Sequence, residues 1–317
     1  MLRTRSGLFR LAMLASLLMV LAGCDEMLAE RDASIRKSFQ VAPGGRLTLD
    51  VNSGSIDVSS AATSQVNIEV IRKVKTSDPR QTEEILREHQ VEFRQEGNDV
   101  LVRTTGGSSG FWNNLWKHLE VRYVISVPRK YNLDLKTSGG SIAVSDLEGE
   151  VVSRTSGGSL NFGHVQGTIS GKTSGGSITV KECGGKVDVN TSGGSINLGK
   201  VSGPLNAHTS GGSVTIDEVM GDVKASTSGG SIRATISRQP TSDCELSTSG
   251  GSIHLDLNKD LNLNLVAKAG GGDVETDVPI LVQGTISKSS LQGKMNSGGP
   301  ELYVHSSGGG VHIRKLQ

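Results

Sequence analysis

Aromatic side chains are scarce in this sequence of 317 residues, where 5 Phe, 3 Tyr and 2 Trp make up 3% of the chain. The interior must therefore be filled by small aliphatic side chains, which favours a narrow core over a broad globular one. An excess of charge is also lacking, because 33 basic residues stand against 32 acidic ones. We therefore expect no nucleic-acid partner. Glycine is abundant at 42 residues, but no Gly-X-Y period accompanies it, which excludes collagen.

The N-terminal apolar run, residues 11–21, is too short to cross a bilayer, which needs about 20 apolar residues. It follows Arg3, Arg5 and Arg10, an order typical of a signal peptide. The run ends in Leu21-Ala22-Gly23-Cys24, which resembles the lipobox of bacterial lipoproteins. This resemblance implies that residues 1–23 are removed and that Cys24 carries the lipid of a membrane anchor. Residues 24–33 would then form a lipidated tether.

Asp25 directly follows that cysteine and resembles the inner-membrane retention signal of enteric Gram-negative lipoproteins. We expect the protein to be lipid-anchored in the cell envelope, on the periplasmic face of the inner membrane. The outer membrane and the cell surface are the alternatives. The membrane is therefore the first expected partner.

The most informative feature of the sequence is a repeated pentapeptide, Thr-Ser-Gly-Gly-Ser. The first five intervals between copies are 18 residues and the sixth is 21. Degenerate copies lie at residues 269–273 and 306–310, and an early one lies at residues 52–55. The seven regular copies begin at Thr137, Thr155, Thr173, Thr191, Thr209, Thr227 and Thr248.

Apolar residues fall into columns when the copies are aligned. One pair of columns precedes the pentapeptide with the alternation of a strand, and a second pair follows it. A third column, which includes Leu147, Val165 and Cys183, is followed two residues later by glycine. Each repeat is thus predicted to be a strand, a Ser-Gly-Gly corner, a second strand and a short third side. We expect the corner glycines to supply backbone conformations with positive φ.

An 18-residue unit cannot bury its own apolar face, so it must stack on its neighbours. The sequence predicts an all-β, single-stranded parallel β-helix with about 18 residues per coil and a rise of about 4.8 Å per coil. A right-handed winding is favoured, since about 98% of parallel crossovers are right-handed. We expect irregular initial coils with insertions at residues 34–132, regular repeats at 133–276 and degenerate terminal coils at 277–317.

Two other features of the solenoid follow from spacing. Residues 79–89 have helical periodicity and are predicted to cap or flank the open end of the solenoid. Cys183 and Cys244 would lie about three coils, or roughly 14 Å, apart, too far for a disulfide, which needs Cα atoms within about 7 Å. We predict two free, mostly buried thiols.

Three surfaces are candidate binding features. The segment 106–120 has apolar residues at helical spacing, which either contact the membrane or a partner protein or fold back on the solenoid: Phe111, Trp112, Leu115, Trp116 and Leu119. Lys136, Arg154 and Lys172 stand one residue before successive repeat threonines, as a ladder for an anionic ligand or as a solvated face. The Thr and Ser columns could bind glycans or ordered water, but stacked hydroxyls that stabilise the corners are the favoured interpretation.

Chemistry is not indicated. The outward column three residues before each repeat threonine contains no adjacent carboxylate pair for acid and base roles. His164, His208 and His254 fall in different columns, so we expect no metal site and no cofactor. We therefore predict a protein that is not an enzyme.

Two stretches beside the repeats resemble a known family. They are the run Leu47-Thr-Leu-Asp-Val-Asn-Ser-Gly-Ser-Ile-Asp-Val58 and the run Tyr123-Val-Ile-Ser-Val-Pro128. Both are similar to a bacterial family of β-strand-repeat proteins, a domain of unknown function that bears the label "putative adhesin". The resemblance implies a parallel β-helix-like fold over most of the mature chain, and no functional residues carry over from it.

Three functions are left open by the sequence. The first is a non-enzymatic envelope rod, adhesin-like or a scaffold, that binds a protein or glycan partner. The second is an envelope-stress sensing or regulatory lipoprotein whose aromatic segment contacts a membrane signalling protein. The third, ranked last, is a polysaccharide-active enzyme.

Overall fold

The computed structural model describes residues 30–105, 116–282 and 287–316. Within these ranges the chain forms one α-helix and 28 strands, which pair into two sheets of 14 strands each. Most of the pairings between neighbouring strands are parallel. The predicted all-β, parallel, β-helix-like architecture is therefore confirmed.

The N-terminal region contains the helix and most of the antiparallel pairings. Strand β1 begins within the predicted tether and pairs antiparallel with β4. A 3-10 turn at Trp116–His118 precedes β7. The elements are β1 (Glu30–Gln40), β2 (Arg46–Asp50), β3 (Ser55–Ala61), β4 (Gln65–Lys75), α1 (Pro79–Glu88), β5 (Gln90–Glu96), β6 (Asp99–Thr105) and β7 (Leu119–Pro128).

The predicted helix is confirmed as α1. Asp78 is its N-cap and accepts a hydrogen bond from the backbone amide of Arg80, and Pro79 opens the first turn, as is common at helix starts. Thr82 and Ile85 are buried, so one face of α1 packs on the sheet.

The repeat region alternates between the two sheets. Its strands are β8 (Asn132–Lys136), β9 (Ile142–Val144), β10 (Leu147–Glu148), β11 (Val151–Arg154), β12 (Leu160–Gln166), β13 (Ile169–Lys172), β14 (Ile178–Cys183), β15 (Val187–Thr191), β16 (Ile196–Val201), β17 (Leu205–Thr209), β18 (Val214–Val219), β19 (Val223–Thr227), β20 (Ile232–Ile236), β21 (Cys244–Thr248) and β22 (Ile253–Leu257).

The C-terminal region completes both sheets. Its strands are β23 (Leu263–Ala269), β24 (Val274–Thr276), β25 (Leu281–Val282), β26 (Ser290–Met295), β27 (Glu301–Ser306) and β28 (Val311–Lys315).

Residues with equivalent positions in the repeat pair with one another. Val151 pairs with Leu133 on one side and with Ile169 on the other, so each partner is 18 positions away. The inward-facing aliphatic side chains form a continuous core between the two sheets. Sheet A has the order β1-β4-β7-β3-β9-β12-β14-β16-β18-β20-β22-β28-β24, with β10 beside β12, and sheet B has the order β25-β26-β23-β27-β21-β19-β17-β15-β13-β11-β8-β2-β6-β5.

The predicted third side is not a separate sheet. Phe162 and Val165 are both buried in β12, and between them Gly163 and His164 face outward. The strand bends at this extra residue, and its pairing with β14 resumes at His164 opposite Glu182. The third apolar column thus belongs to the same sheet as the second.

Both ends of the rod depart from sequence order. At the C-terminal end, β27 lies between β21 and β23, and β28 lies between β22 and β24. The last coil in the sequence therefore lies between two earlier coils in the stack, the one formed by β21 and β22 and the one formed by β23 and β24. At the other end, β2 lies between β8 and β6 in the same manner. The sequence-based division into successive coils did not foresee this order.

The corner glycines are needed for a different reason from the one predicted. None of the glycines in the regular Thr-Ser-Gly-Gly-Ser corners has positive φ, although Gly54 of the early corner does, at +113°. A Cβ atom on Gly158 would instead lie 2.1 Å from the carbonyl oxygen of Gly140 in the neighbouring coil. The second glycine of each corner is required because the corners stack too closely to admit a side chain.

The repeat threonines point inward and are saturated with hydrogen bonds. Thr155 Oγ1 donates to the Gly140 carbonyl at 2.9 Å, and Thr173 Oγ1 donates to the Gly158 carbonyl at 2.8 Å. Both side chains are buried. This is the structural role that the sequence favoured for the threonine column over ligand binding. Cys183 and Cys244 are free and buried, as predicted.

Candidate functional site

A groove crosses the outer face of sheet A where two neighbouring strands separate. Strand β3 pairs with β7 from Ser55 to Ala61, but it pairs with β9 only from Ile56 to Val58. After β9 the chain turns away at Ser145, whose amide donates to the Val58 carbonyl at 2.9 Å. A gap therefore opens on the outer surface, which we call the outer groove.

The outer groove consists of three adjoining depressions of about 380, 490 and 400 Å³. Ser59 and Val124 line both the first and the second depression. Ser145 and Asp146 line both the second and the third. The groove thus runs across the strands from β1 to β14. A concave surface with convergent polar groups is the usual starting hypothesis for a binding site.

An aspartate and a histidine pair at the far end of the groove. Asp146 Oδ1 accepts a hydrogen bond of 3.0 Å from the His164 backbone amide and lies 2.9 Å from His164 Nδ1. These contacts, the amide first, hold the pKa of Asp146 below its usual range. The two side chains are 72% and 52% exposed. The pair therefore faces water, where it can recognise a polar ligand.

A second polar cluster lies beneath α1, at the end of the rod. Arg72 Nη1 donates to the carbonyl oxygens of Leu86 and His89 at 3.3 Å each. His89 is 3% exposed, and burial, helped by the charge of Arg72, lowers its pKa to about 4. Burial also raises the pKa of the fully enclosed Tyr123. These contacts fix the C-terminal end of α1 to β4, which is a structural role.

The three cations of the predicted ladder do lie side by side on sheet B. Arg154 pairs in register with Lys136 and with Lys172. Lys136 Nζ lies 3.0 Å from Asp50, and Arg154 Nη1 lies 3.2 Å from Asp134. Two of the three charges thus have carboxylate partners, which weakens the attraction for a further anion.

The aromatic segment and the lipid attachment site fall mainly outside the described residues. Phe111, Trp112 and Leu115 lie outside them, as do Cys24 and Asp25. Trp116 begins the 3-10 turn, and Leu119 is the first residue of β7, where it packs against the core. The described part of the chain contains no helix that is long and apolar enough to cross a membrane.

Sequence reasoning missed the outer groove altogether. One end of it is formed by β1, β3, β4 and β7, which lie outside the regular repeats and whose strand order is not readable from periodicity. The signals that were available are Gly163 and the extra outward residue beside it, which mark the bend of β12. Within residues 30–105, 116–282 and 287–316, no group of three His, Cys, Asp or Glu side chains is arranged to hold a metal ion.

The chain is similar to one protein family and to several solved structures. Residues 45–314 match the family described as Toastrack DUF4097, whereas no curated protein matches the sequence. Among solved structures, a "putative adhesin" from Parabacteroides merdae ATCC 43184 is 14% identical, with 90% of this chain and 96% of that chain covered and a TM-score of 0.45. A "putative adhesin" from Bacteroides fragilis NCTC 9343 is 13% identical, with 90% and 97% covered and a TM-score of 0.36. A "putative lipid binding protein" from Parabacteroides distasonis ATCC 8503 is 15% identical, with 90% and 97% covered and a TM-score of 0.41.

Proposed function

The chain belongs to the Toastrack DUF4097 family, and on that premise we propose that it is a non-enzymatic binding protein of the cell envelope. In this proposal Cys24 carries the lipid anchor, the two sheets form a rigid rod, and the outer groove receives a protein or glycan partner. We also propose that the coils wind right-handed, as parallel crossovers do in about 98% of cases.

The observation that supports this function most strongly is the position of the outer groove. Arg36 and Ser38 of β1 form one end of it, and β1 begins at Glu30. Cys24 precedes Glu30 by six residues, and a fully extended chain of that length spans at most about 20 Å. A lipid on Cys24 would hold the groove close to the membrane on which the protein is anchored.

Binding is favoured over catalysis because the hydrogen-bonded pair of Asp146 and His164 in the groove is solvated. Asp146 and His164 lie in open solvent, whereas acid and base catalysis generally depends on groups shielded from water. A polysaccharide-active enzyme remains the least favoured alternative. Release of reducing ends from a panel of polysaccharides would support it.

A second candidate function is envelope-stress sensing through the aromatic segment. It is favoured by one connection: β7 begins at Leu119, the last apolar residue of that segment, and the same strand provides Val124 and Ser126 of the groove. A signalling partner bound at Trp112 or Trp116 would therefore bind the chain a few residues before the strand that forms part of the groove.

Crosslinking in living cells tests the binding function. A photoreactive side chain is placed at Val124 in the groove, at Trp112 in the aromatic segment, or at Val152 on the outer face of sheet B as the matched control. Capture of one defined partner from Val124 but not from Val152 supports the groove, and capture from Trp112 alone supports the sensing function. Equal adducts at all three positions would contradict both.

A further inference from the structure

We infer that the outer groove binds a neutral polysaccharide chain that lies across the strands of sheet A. This inference rests on the proposed binding function and names its ligand class. Three properties of the groove carry it: its charges are internally balanced, its polar groups are regularly spaced, and its floor holds an exposed aliphatic side chain.

Charges along the groove balance one another, because four basic lining residues stand against four acidic ones: Arg36, Lys37, Arg129 and Lys181 against Asp57, Glu69, Asp146 and Glu148. Several of these charges are also paired. Arg36 Nη2 lies 2.7 Å from Glu69 Oε1, and Arg122 Nε lies 2.7 Å from Asp57 Oδ2. Farther along, Asp146 interacts with His164. A charged polymer of either sign would therefore meet as many like charges as opposite ones along the groove, and at the paired residues it would also have to displace a partner. A neutral ligand can use the same polar atoms without displacing them.

Small polar side chains stand in register on neighbouring strands. Ser38 pairs with Asn67, Asn67 pairs with Ser126, and Ser126 pairs with Ser59. Ser145 extends this row, since its Oγ accepts a hydrogen bond from the Ser60 amide at 3.4 Å. Adjacent strands are about 4.8 Å apart, which is close to the length of one sugar unit in an extended chain. Each sugar would meet one hydroxyl or amide group.

An aliphatic side chain lies exposed beside this row. Val124 is 37% exposed, and among the described residues only Leu281 is another large hydrophobic side chain with substantial exposure. Val124 and Ala143 both pair with Asp57, from opposite sides. They form an apolar strip that is interrupted by the Asp57 carboxylate, and the C–H faces of sugar rings can pack on either side of that carboxylate. Without aromatic rings in the strip, affinity for one chain should be modest, with Kd in the range of about 10 μM to 1 mM.

A pair of matched substitutions tests this site. Val124→Lys places a charge on the apolar strip, and Val152→Lys makes the same change on the outer face of sheet B, where Val152 lies between Asp134 and Ser170. The full mature chain in detergent is titrated with a neutral β-glucan, a neutral mannan and the anionic polygalacturonate. Binding is measured by isothermal calorimetry at low and high salt.

We expect at least one neutral polymer to bind with little dependence on salt. Val124→Lys should weaken that binding by at least about tenfold, while Val152→Lys should leave it unchanged. Three results would overturn the inference: no neutral polymer binds, only polygalacturonate binds, or Val124→Lys binds as well as the parent protein. Capture of a protein by crosslinking from Val124, together with no neutral polymer bound, would preserve the proposed function and reject the glycan ligand.

Discussion

Thr209 Oγ1 donates a hydrogen bond of 2.8 Å to the carbonyl oxygen of Gly194 in the neighbouring coil. Thr209 Oγ1 also accepts a hydrogen bond of 3.3 Å from the backbone amide of Gly212, which lies in the same corner as Thr209. Equivalent contacts join the other regular corners, as at Thr191 and Gly176. Because the hydroxyl is buried, it holds two successive corners together where water cannot replace it.

Replacement of Thr209 by valine keeps the shape of the side chain but removes the hydroxyl. The Gly194 carbonyl and the Gly212 amide would lose a buried partner, and the free energy of unfolding should fall by about 1–3 kcal/mol. Thr209→Ser retains the hydroxyl and should lose less. Urea denaturation of the two variants makes the comparison, and an equal loss in both would show that the hydroxyl is not the cause.

Ser153 tests the converse case, a hydroxyl that is buried in the core without a hydrogen bond of this kind. It is fully buried, and its Oγ has no hydrogen-bond partner among the described residues. Ser153→Ala should therefore stabilise the protein, by about 1 kcal/mol, since a buried hydroxyl without a partner is costly. Ser170→Ala, on the exposed face of β13, is the control and should change the melting temperature little. A lower melting temperature for Ser153→Ala would contradict the account.

Sequence periodicity predicted the regular part of the fold well and the ends poorly. The columns that contain Val151 and Ile169 are fixed by inward and outward alternation, which leaves only one register for neighbouring strands. The insertion of β27 between β21 and β23 produces no such signal, because Leu302 and Leu265 fit the same apolar column equally well. The order of these strands in the sheet depends on how they pack against one another, and sequence periodicity carries no information about that packing.

The candidate site was missed for a related reason. Val124 and Ser59 belong to strands of irregular length, and they meet only because β3 stays paired with β7 after β9 has turned away. By contrast, the ladder of Lys136 and Arg154 was foreseen, since both residues lie in the repeat. Its carboxylate partners, Asp50 and Asp134, were not, because side-chain direction between neighbouring coils is not readable from spacing.

Low pH should destabilise the end of the rod that contains α1, because His89 is buried there. Its pKa is about 4 in the folded protein and about 6.5 when unfolded. Between these values the unfolded chain binds more protons, so stability is complete above pH 6.5 and falls as the pH decreases towards 4. The loss should reach a few kcal/mol, at about 1.4 kcal/mol per pKa unit.

His89→Gln should remove that pH dependence, and the exposed His164→Gln is the control that should retain it. Hydrogen exchange of the α1 amides at pH 4.5 and pH 7.5 provides the measurement. Equal exchange free energies for α1 at the two pH values in the parent protein would rule out His89 as the cause.

The inserted last coil should hold the C-terminal end in place. Strands β23 and β24 reach the rest of the rod through pairing with β27 and β28. A chain that ends at Gly299 lacks both strands, so β23–β26 should lose protection from hydrogen exchange while β11–β19 keep it. Retained protection of β23 in the shortened chain would mean that it can dock on β21 directly.

The stacking of the corners is tested most directly by two adjacent glycines. A Cβ atom on Gly158 would lie 2.1 Å from the Gly140 carbonyl oxygen, whereas one on Gly157 would lie 3.4 Å from the Gly139 oxygen. Neither glycine has positive φ, so alanine is compatible with both backbones and only the spacing between coils distinguishes the two sites. By thermal and urea unfolding, Gly158→Ala should destabilise the protein by at least about 2 kcal/mol, while Gly157→Ala should be nearly neutral. Equal effects of the two substitutions would contradict the stacked corners on which the rod and its groove depend.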